Sequence, residues 1–363
     1  MYNDNEKALI WLNLFEFITY NKKYKLYQSF FQPKDLYDNF ENESKKIIEI
    51  VGDENYKNML NVKNDMILNN HIQTLTKENI KFVTLVSKEY PALLKNTTNP
   101  PLVLYCKGDV DLLKTDCIGV VGTRNCTRYG IEVTQKFTEV LAKNNITVVS
   151  GLALGIDTCA HDTCLNAGGK TIAVLAGGFH NIYPQSNYML AQKIIENGLL
   201  VSEYKPNEQA NRYNFPVRNR IIAGLSKGVL LTEAGEKSGA MYTKEYALEY
   251  GRDLFVVPGN ITNIRSSGCN QVIKSLQGTM VTDPKDILST YGMEDLNLFK
   301  NEAIQTTLDE QIIISLFRGD ELHYDEILSK TKFDAKRLNT LLTTMQIRGI
   351  IKKLAGNYFA LSN

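Results

Sequence analysis

The chain has 363 residues, 43% hydrophobic and 22% charged, with a formal net charge of +1, as expected of a globular protein with room for two or three domains. That charge excludes a basic field spread over the whole surface, so a nucleic-acid partner would have to meet locally concentrated charge. No apolar run approaches the roughly 20 residues that span a bilayer, and Lys22, Lys23 and Lys25 interrupt the apolar start where a signal peptide would need continuity.

Residues 1–75 are rich in Asn, Lys, Tyr and Phe, and Leu9, Leu12, Phe15 and Ile18 recur at helical spacing. A small helical domain is expected there, with Pro33 opening one helix. Over 76–114 the chain turns extended. The runs KFVTLV and LVLYCKG, with Tyr90-Pro91 and the tandem Pro100-Pro101 between them, imply a lead-in strand or a wrapped connector.

Residues 115–288 alternate strand and helix. CIGVVG (117–122), ITVVSG (146–151), KTIAVLAGG (170–178), LLVSEY (199–204), KGVLLTEA (227–234), DLFVVPG (253–259) and TMVTD (279–283) read as strands. Helices are expected over 129–144, 156–167, 186–197, 219–225, 239–250 and 269–276, with a last short one opened by Pro284 and a long loop before residue 219. The strands are near-continuous apolar runs, as needed when helices cover both faces of a sheet. The expected fold class is therefore α/β: a Rossmann-like, doubly wound parallel sheet over 76–292. A polar linker follows Gly292. Residues 305–363 carry three amphipathic helices and a short GNYFAL strand, which suggests a winged-helix-like domain. Its third helix has only Lys336, Arg337 and Arg348 as basic residues, so a protein contact competes with duplex binding there.

The six cysteines (Cys106, Cys117, Cys126, Cys159, Cys164 and Cys269) form no CxxC pair, which argues against zinc and for a reducing, cytoplasmic setting.

In an open parallel sheet, ligands bind beyond the carboxyl ends of the strands. Here those ends read Gly122-Thr123-Arg124-Asn125, Ser150-Gly151, Gly177-Gly178, Glu203-Tyr204, Glu233-Ala234 and Pro258-Gly259. Four of the six are glycine turns, which admit a ligand close to the backbone beside helix N-termini that favour anions. For any one turn, tight packing explains the glycine equally well. The spacing matches neither the dinucleotide fingerprint nor a P-loop, so no nucleotide cofactor is expected.

Residues 211–220, read as loop, carry Arg212, Arg218 and Arg220 with Tyr213 and Phe215 among them. Guanidinium groups pair with phosphates and aromatic rings stack on unpaired bases, which describes a single-strand platform. The competing reading has these arginines bracing the loop against Glu203, Glu208 or Glu233, with Arg220 the best candidate for that role. Two further pairs superficially suggest acid–base chemistry, Glu203 with Glu233 and Asp157 with His161. No nucleophile or metal set accompanies either, so no catalytic residue is assigned. His161 is expected to be packed, or bonded to Asp157.

The runs IGVVGTRN, VVSGLALGIDTCAH, GGKTIAVLAGG with YPQSN, NFPVRNRIIAGLS, EAGEKSGAMYT, GRDLFVVPGN and GCNQVIKSLQG occur in one order. Together with YPALLKNTTNPPLVLYCKGD they strongly resemble the bacterial DNA-processing family DprA, also called Smf. The resemblance covers the central domain and its lead-in. It implies a non-enzymatic homodimer, with its contact near the helix after Gly268, that binds single-stranded DNA. Such a protein loads the recombinase RecA, counters the single-strand-binding protein and serves natural transformation; a role in defence or plasmid maintenance would use the same chemistry. The DNA-contacting set is then Gly122, Arg124, Ser150, Gly151, Gly178, Gln185, Asn187, Arg212, Phe215, Arg218, Asn219, Arg220, Ser238 and Gly239. Two departures remove charge from the rim: Gln185 where many relatives carry Lys, and Leu154 where Arg is common. The runner-up is a phosphoribohydrolase-like, nucleotide-processing enzyme of similar architecture. Its PGGxGTxxE run is missing, since Pro258-Gly259-Asn260 stops short.

Overall fold

In the computed structural model, which describes residues 2–293, 306–317 and 321–361, six helices come first: α1 (Asp4–Asn13), α2 (Tyr20–Gln28), α3 (Pro33–Asp38), α4 (Ser44–Val51), α5 (Asp53–Val62) and α6 (Asp65–Lys77). The first starts at a capping box. Asn3 Oδ1 accepts from the Glu6 amide at 3.1 Å, and Glu6 Oε2 accepts from the Asn3 amide at 2.9 Å, satisfying donors that the helix cannot. Pro33 is the first residue of α3, where its missing N–H costs nothing. Trp11, fully buried, meets Phe15, Tyr37 and Phe40 edge-to-face at 5.1, 5.0 and 5.2 Å, a favoured aromatic geometry. This cluster continues into the core around Phe82 and Tyr105 on the sheet.

The sheet has nine strands: β1 (Lys81–Thr84), β2 (Val103–Gly108), β3 (Cys117–Val121), β4 (Thr147–Ser150), β5 (Thr171–Val174), β6 (Leu199–Ser202), β7 (Gly228–Leu231), β8 (Asp253–Val256) and β9 (Thr279–Met280). Their spatial order is β1-β2-β6-β5-β4-β3-β7-β8-β9. From β6 to β9 every pairing is parallel, as the apolar runs predict. The lead-in departs from that pattern: β1 pairs antiparallel with β2, and β2 antiparallel with β6. The prolines lie in the connector between β1 and β2, where the carbonyls of Pro100 and Pro101 accept from the hydroxyls of Tyr20 and Tyr90, each at 2.8 Å. The outward amides of edge strand β1 are also closed off, Phe82 to Tyr2 Oη at 2.8 Å and Thr84 to Ser87 Oγ at 3.0 Å, which blunts the edge against foreign strands.

A one-turn helix, α7 (Ala92–Lys95), lies between β1 and β2. The crossovers are α8 (Arg128–Lys143), α9 (Ile156–Asn166), α10 (Tyr188–Asn197), α11 (Asn214–Leu225), α12 (Ala240–Glu249) and α13 (Ser267–Lys274), followed by α14 (Pro284–Thr290). Phe137, Leu141, Ala160, Cys164 and Ile287 of α8, α9 and α14 pack on one face. Leu190, Ile194, Ile221, Ile222 and Ala247 of α10, α11 and α12 pack on the other. All five strands from β3 to β7 are consequently buried along their length.

One helix differs from expectation in a way that matters for the site. The sequence predicts it over 219–225, but α11 begins five residues earlier, at Asn214. Pro216 is the third helical residue, still within the first turn, where proline breaks no internal hydrogen bond. Arg218, Asn219 and Arg220 therefore project from a helix and not from a loop.

Within residues 306–361, α15 (Leu308–Leu316), α16 (Tyr324–Thr331) and α17 (Ala335–Ile347) pack around Ile313, Ile327, Leu338, Leu342 and Met345. A short antiparallel sheet of β10 (Leu322–His323), β12 (Tyr358–Leu361) and β11 (Ile351–Lys353) completes the arrangement of a winged helix. Strand β10 is too short to be seen in the sequence pattern. Arg337 pairs with Asp309 at 2.5 Å and Arg348 with Glu310 at 2.6 Å, so both are engaged inside this unit. The linker expected after Gly292 falls almost entirely outside the described residues. Among the described residues, no helix is long and apolar enough to cross a membrane.

Candidate nucleic-acid interface

The strand order reverses between β3 and β7, and the chain leaves these neighbours in opposite directions, opening a crevice at their carboxyl ends. A cavity of about 630 Å³ lies there, reached by the β3–α8 turn, the start of α9, the α11 N-terminus and the α12 N-terminus. Its position follows from topology.

The β3–α8 turn is rigidly held. The Thr123 amide donates to the Glu233 carbonyl at 2.7 Å, and the Glu233 carboxylate accepts from both the amide and the hydroxyl of Thr127, each at 2.7 Å. Glu233 is 1% exposed, so it braces the turn. Gly122 is required by packing, since a Cβ there would lie 2.5 Å from Ile156 Cγ1 and 2.7 Å from the Glu233 carbonyl.

That brace places Arg124 on the rim, exposed, with its guanidinium 5.0 Å above the Phe215 ring. Tyr183 meets Phe215 edge-to-face at 5.5 Å. One wall thus combines an exposed cation with two rings. Arg212, also exposed, lies 4.6 Å over the Tyr213 ring and donates to its hydroxyl.

The floor is built differently. Arg218 is only 3% exposed; Nη1 donates to the carbonyls of Gly151 at 2.7 Å and of Val174, and Nε donates to Asn219 Oδ1 at 3.2 Å. Burial pulls its guanidinium down to about 10, against the opposing pull of Asp157, leaving it charged at neutral pH. The Asp157 carboxyl is pushed up by burial and held back by Arg218 and by the amides of Ala153 and Gly151. A Cβ on Gly151 would lie 2.5 Å from Arg218 Nη2 and 2.8 Å from Asp157 Oδ2, so this glycine makes room for both side chains. On the far side Ser238 Oγ accepts from the Ala240 amide at 3.3 Å, and Asn219 Nδ2 donates to the Gly239 carbonyl at 3.2 Å. Together they aim the positive end of α12 at the cavity.

Of the residues singled out in the sequence, Gly122, Arg124, Arg212, Phe215, Arg218, Asn219, Ser238 and Gly239 line this cavity. The remaining six do not. Ser150 Oγ donates to the Val120 carbonyl at 2.7 Å, tying β4 to β3. Buried Asn187 donates to the Leu152 carbonyl at 2.9 Å and to Thr158 Oγ1 at 2.8 Å. Gln185 is exposed beyond the rim, and Gly151 sits behind Arg218. Gly178 carries the 205–206 backbone, because a Cβ there would lie 2.0 Å from the Lys205 carbonyl. Gly178→Ala is accordingly expected to cost about 3 kcal/mol of stability, read from urea unfolding; an unchanged midpoint would contradict this packing.

Arg220 is turned away from the cavity altogether. It pairs with Glu203, donates to the Asn99 carbonyl at 2.7 Å and lies 5.5 Å from the Tyr20 ring. Two residues on a helix point roughly 200° apart, so Arg218 and Arg220 cannot serve one surface. With Glu203 and Glu233 both engaged in bracing, neither is placed for acid–base work. His161 bonds Thr171 Oγ1 at 2.7 Å, not Asp157, and complete burial lowers it to about 3, which keeps it neutral. Among the described residues no cluster of three or more His, Cys, Asp or Glu is arranged to hold a metal.

The cavity also gathers Tyr183, Tyr242 and Thr243, which sequence reasoning did not single out. Tyr183 opens YPQSN and Tyr242 ends within EAGEKSGAMYT, so both lay inside recognised runs. Neither run, however, reveals which face it presents.

The fold is thus a Rossmann-like α/β sheet whose switch-point crevice is walled by arginines and aromatic rings. Residues 81–292 match the family described as DNA recombination-mediator protein A, and the chain belongs to that family. It is 43% identical over 199 residues to the DNA processing protein DprA of Bacillus subtilis, covering 54% of this chain and 67% of that one. It is 36% identical over 298 residues to protein Smf of Escherichia coli, covering 79% of each. Among solved structures, DprA of Streptococcus pneumoniae superposes with a TM-score of 0.62 at 36% identity, over 75% of this chain and 98% of that one. DprA of Helicobacter pylori, whose structure concerns the single-stranded DNA binding mode of that protein, gives 0.53 at 32% identity, over 58% and 95%.

Proposed function

We propose that the switch-point crevice binds single-stranded DNA, and that the chain is a cytoplasmic, homodimeric mediator that loads RecA recombinase onto such DNA against single-strand-binding protein, without itself catalysing a reaction. The observation that carries the reading is the rim: Arg124 rests on Phe215, and Phe215 on Tyr183. In the free protein the guanidinium covers the ring face that a base would use. When a strand enters, Arg124 moves to a phosphate and a base takes its place on Phe215, so charge and stacking are engaged together. The deeper Arg218 and the α12 N-terminus add positive potential behind the rim without needing to move. Kinship with DNA recombination-mediator proteins supports the same assignment.

The test is a competition between single- and double-stranded oligonucleotides for the full-length protein across a salt series. Preference for the single strand, with affinity falling steadily as salt rises, is expected. Phe215→Ala should weaken single-strand binding by about tenfold, since stacking on one ring contributes ~1–3 kcal/mol per base. Equal affinity for duplex, or salt-independent binding, would remove the assignment. RecA loading is read separately, from the rate at which RecA filaments form on strands coated with single-strand-binding protein. Light scattering of the purified chain reports the dimer.

A further inference from the structure

The segment that delivers Arg212 to the crevice, residues 203–213, has no strand or helix of its own before α11. Its first half is instead held from outside. The Gly178 amide donates to the Glu208 carbonyl at 2.7 Å, and the His180 amide to the Pro206 carbonyl at 2.9 Å. Asn181 Nδ2 donates to the Asn207 carbonyl at 2.8 Å. Two further tethers run to the N-terminal helices. Lys205 Nζ donates to the Leu14 carbonyl at 2.7 Å and pairs with Glu16 at 2.8 Å, just beyond the end of α1. His180 bridges Glu78, just beyond the end of α6, and Asn207 in the loop, with both ring nitrogens at 2.6 Å from an oxygen. Past these tethers the chain runs through Ala210 and Arg212, both of which line the cavity.

We propose that the N-terminal helices act as a clamp on the 205–213 loop, and that Lys205 and His180 are positioning residues of the DNA site which never touch the strand. This rests on reading the crevice as the single-strand site. The physical basis is pre-organisation. If an unclamped loop holds Arg212 in its binding geometry only about a tenth of the time, the apparent dissociation constant rises about tenfold with every DNA contact intact.

Protonation supports the His180 arm. Two oxygen acceptors facing one imidazole are both satisfied only by the imidazolium. The bond to Asn207 and the Glu78 carboxylate raise its pKa, while partial burial and Lys107 oppose them. A raised folded pKa means that this contribution is complete below the ordinary value of about 6.5 and is lost as pH rises through the raised value. Glu78, Lys107 and Asn207 are the groups that face the ring.

The experiment combines Lys205→Met with His180→Gln in the full chain and reads two quantities: amide hydrogen exchange over 206–213, and affinity for a fluorescent single-stranded oligonucleotide. About tenfold faster exchange and five- to tenfold weaker binding are expected, with partial restoration by Lys205→Arg. Glu16→Ala with Glu78→Ala repeats the test from the partly exposed ends of the tethers, where loss of folding is not at issue. Across the pH range above 6.5, wild-type affinity should fall more steeply than that of His180→Gln; identical profiles overturn the His180 arm. Unchanged exchange, or faster exchange with unchanged affinity, overturns the clamp. If the wild-type protein shows no single-strand binding, the site reading itself fails, and the exchange result still reports on the tethers.

Discussion

Arg124→Ala combined with Arg212→Ala is expected to weaken single-stranded DNA binding by about 100-fold near physiological salt. Hydrogen bonds to charged groups contribute ~1.5–3 kcal/mol each, and these two guanidinium groups are the exposed cations on the crevice wall. Two lost phosphate contacts should also flatten the dependence of log affinity on log salt by about 1.4. The reason to expect a binding defect without a folding defect is local. Arg124 rests on Phe215, and Arg212 bonds its neighbour Tyr213, so removing either leaves no buried group unpaired. Fluorescence anisotropy titrations at several salt concentrations, with thermal unfolding as control, give the answer. Unchanged affinity and slope in the double variant would sink the assignment of this crevice.

Arg220→Met should do the reverse, lowering stability by about 3–5 kcal/mol while leaving the crevice lining in place. The Arg220 and Glu203 side chains are 7% and 14% exposed. Removing the guanidinium leaves a largely buried carboxylate without its cation, and that stranding dominates the cost of breaking a buried pair. It also leaves the Asn99 carbonyl without its donor at 2.7 Å. Adding Glu203→Gln should recover part of the loss, because no charge is then left buried. Urea denaturation measures both variants. A loss below about 1 kcal/mol for the single variant, or no recovery in the double, would mean that the pair does not brace α11 against the end of β6.

The contrast between these two predictions shows how much of the site could be read from sequence. Arg124 was legible because it lies two residues after Gly122 in the turn at a strand end, a place defined by local pattern alone. The basic, aromatic character of residues 211–220 was legible too. Its conformation was not, since Pro216 reads as a loop signal and yet is equally at home in the first helical turn. Once α11 starts at Asn214, the helical rotation sends Arg218 to the cavity floor and Arg220 to Glu203. The bracing alternative, already favoured for Arg220, thus holds for that residue. The glycines divide in the same way: Gly239 borders the cavity, whereas Gly151 and Gly178 are explained by the atoms a Cβ would strike.

What the amino-acid sequence determined by itself was the alternation of apolar strands with amphipathic helices, hence the doubly wound sheet, and the chemical character of its carboxyl edge. These follow from periodicity and residue type, which act over a few residues. Only the tertiary structure decided which side chains meet. The antiparallel β1 and β2, Glu233 bracing a turn 106 residues away, Tyr183 against Phe215, and His180 joining Glu78 to Asn207 all depend on long-range packing. A contact between distant segments leaves no trace in the local pattern of either one.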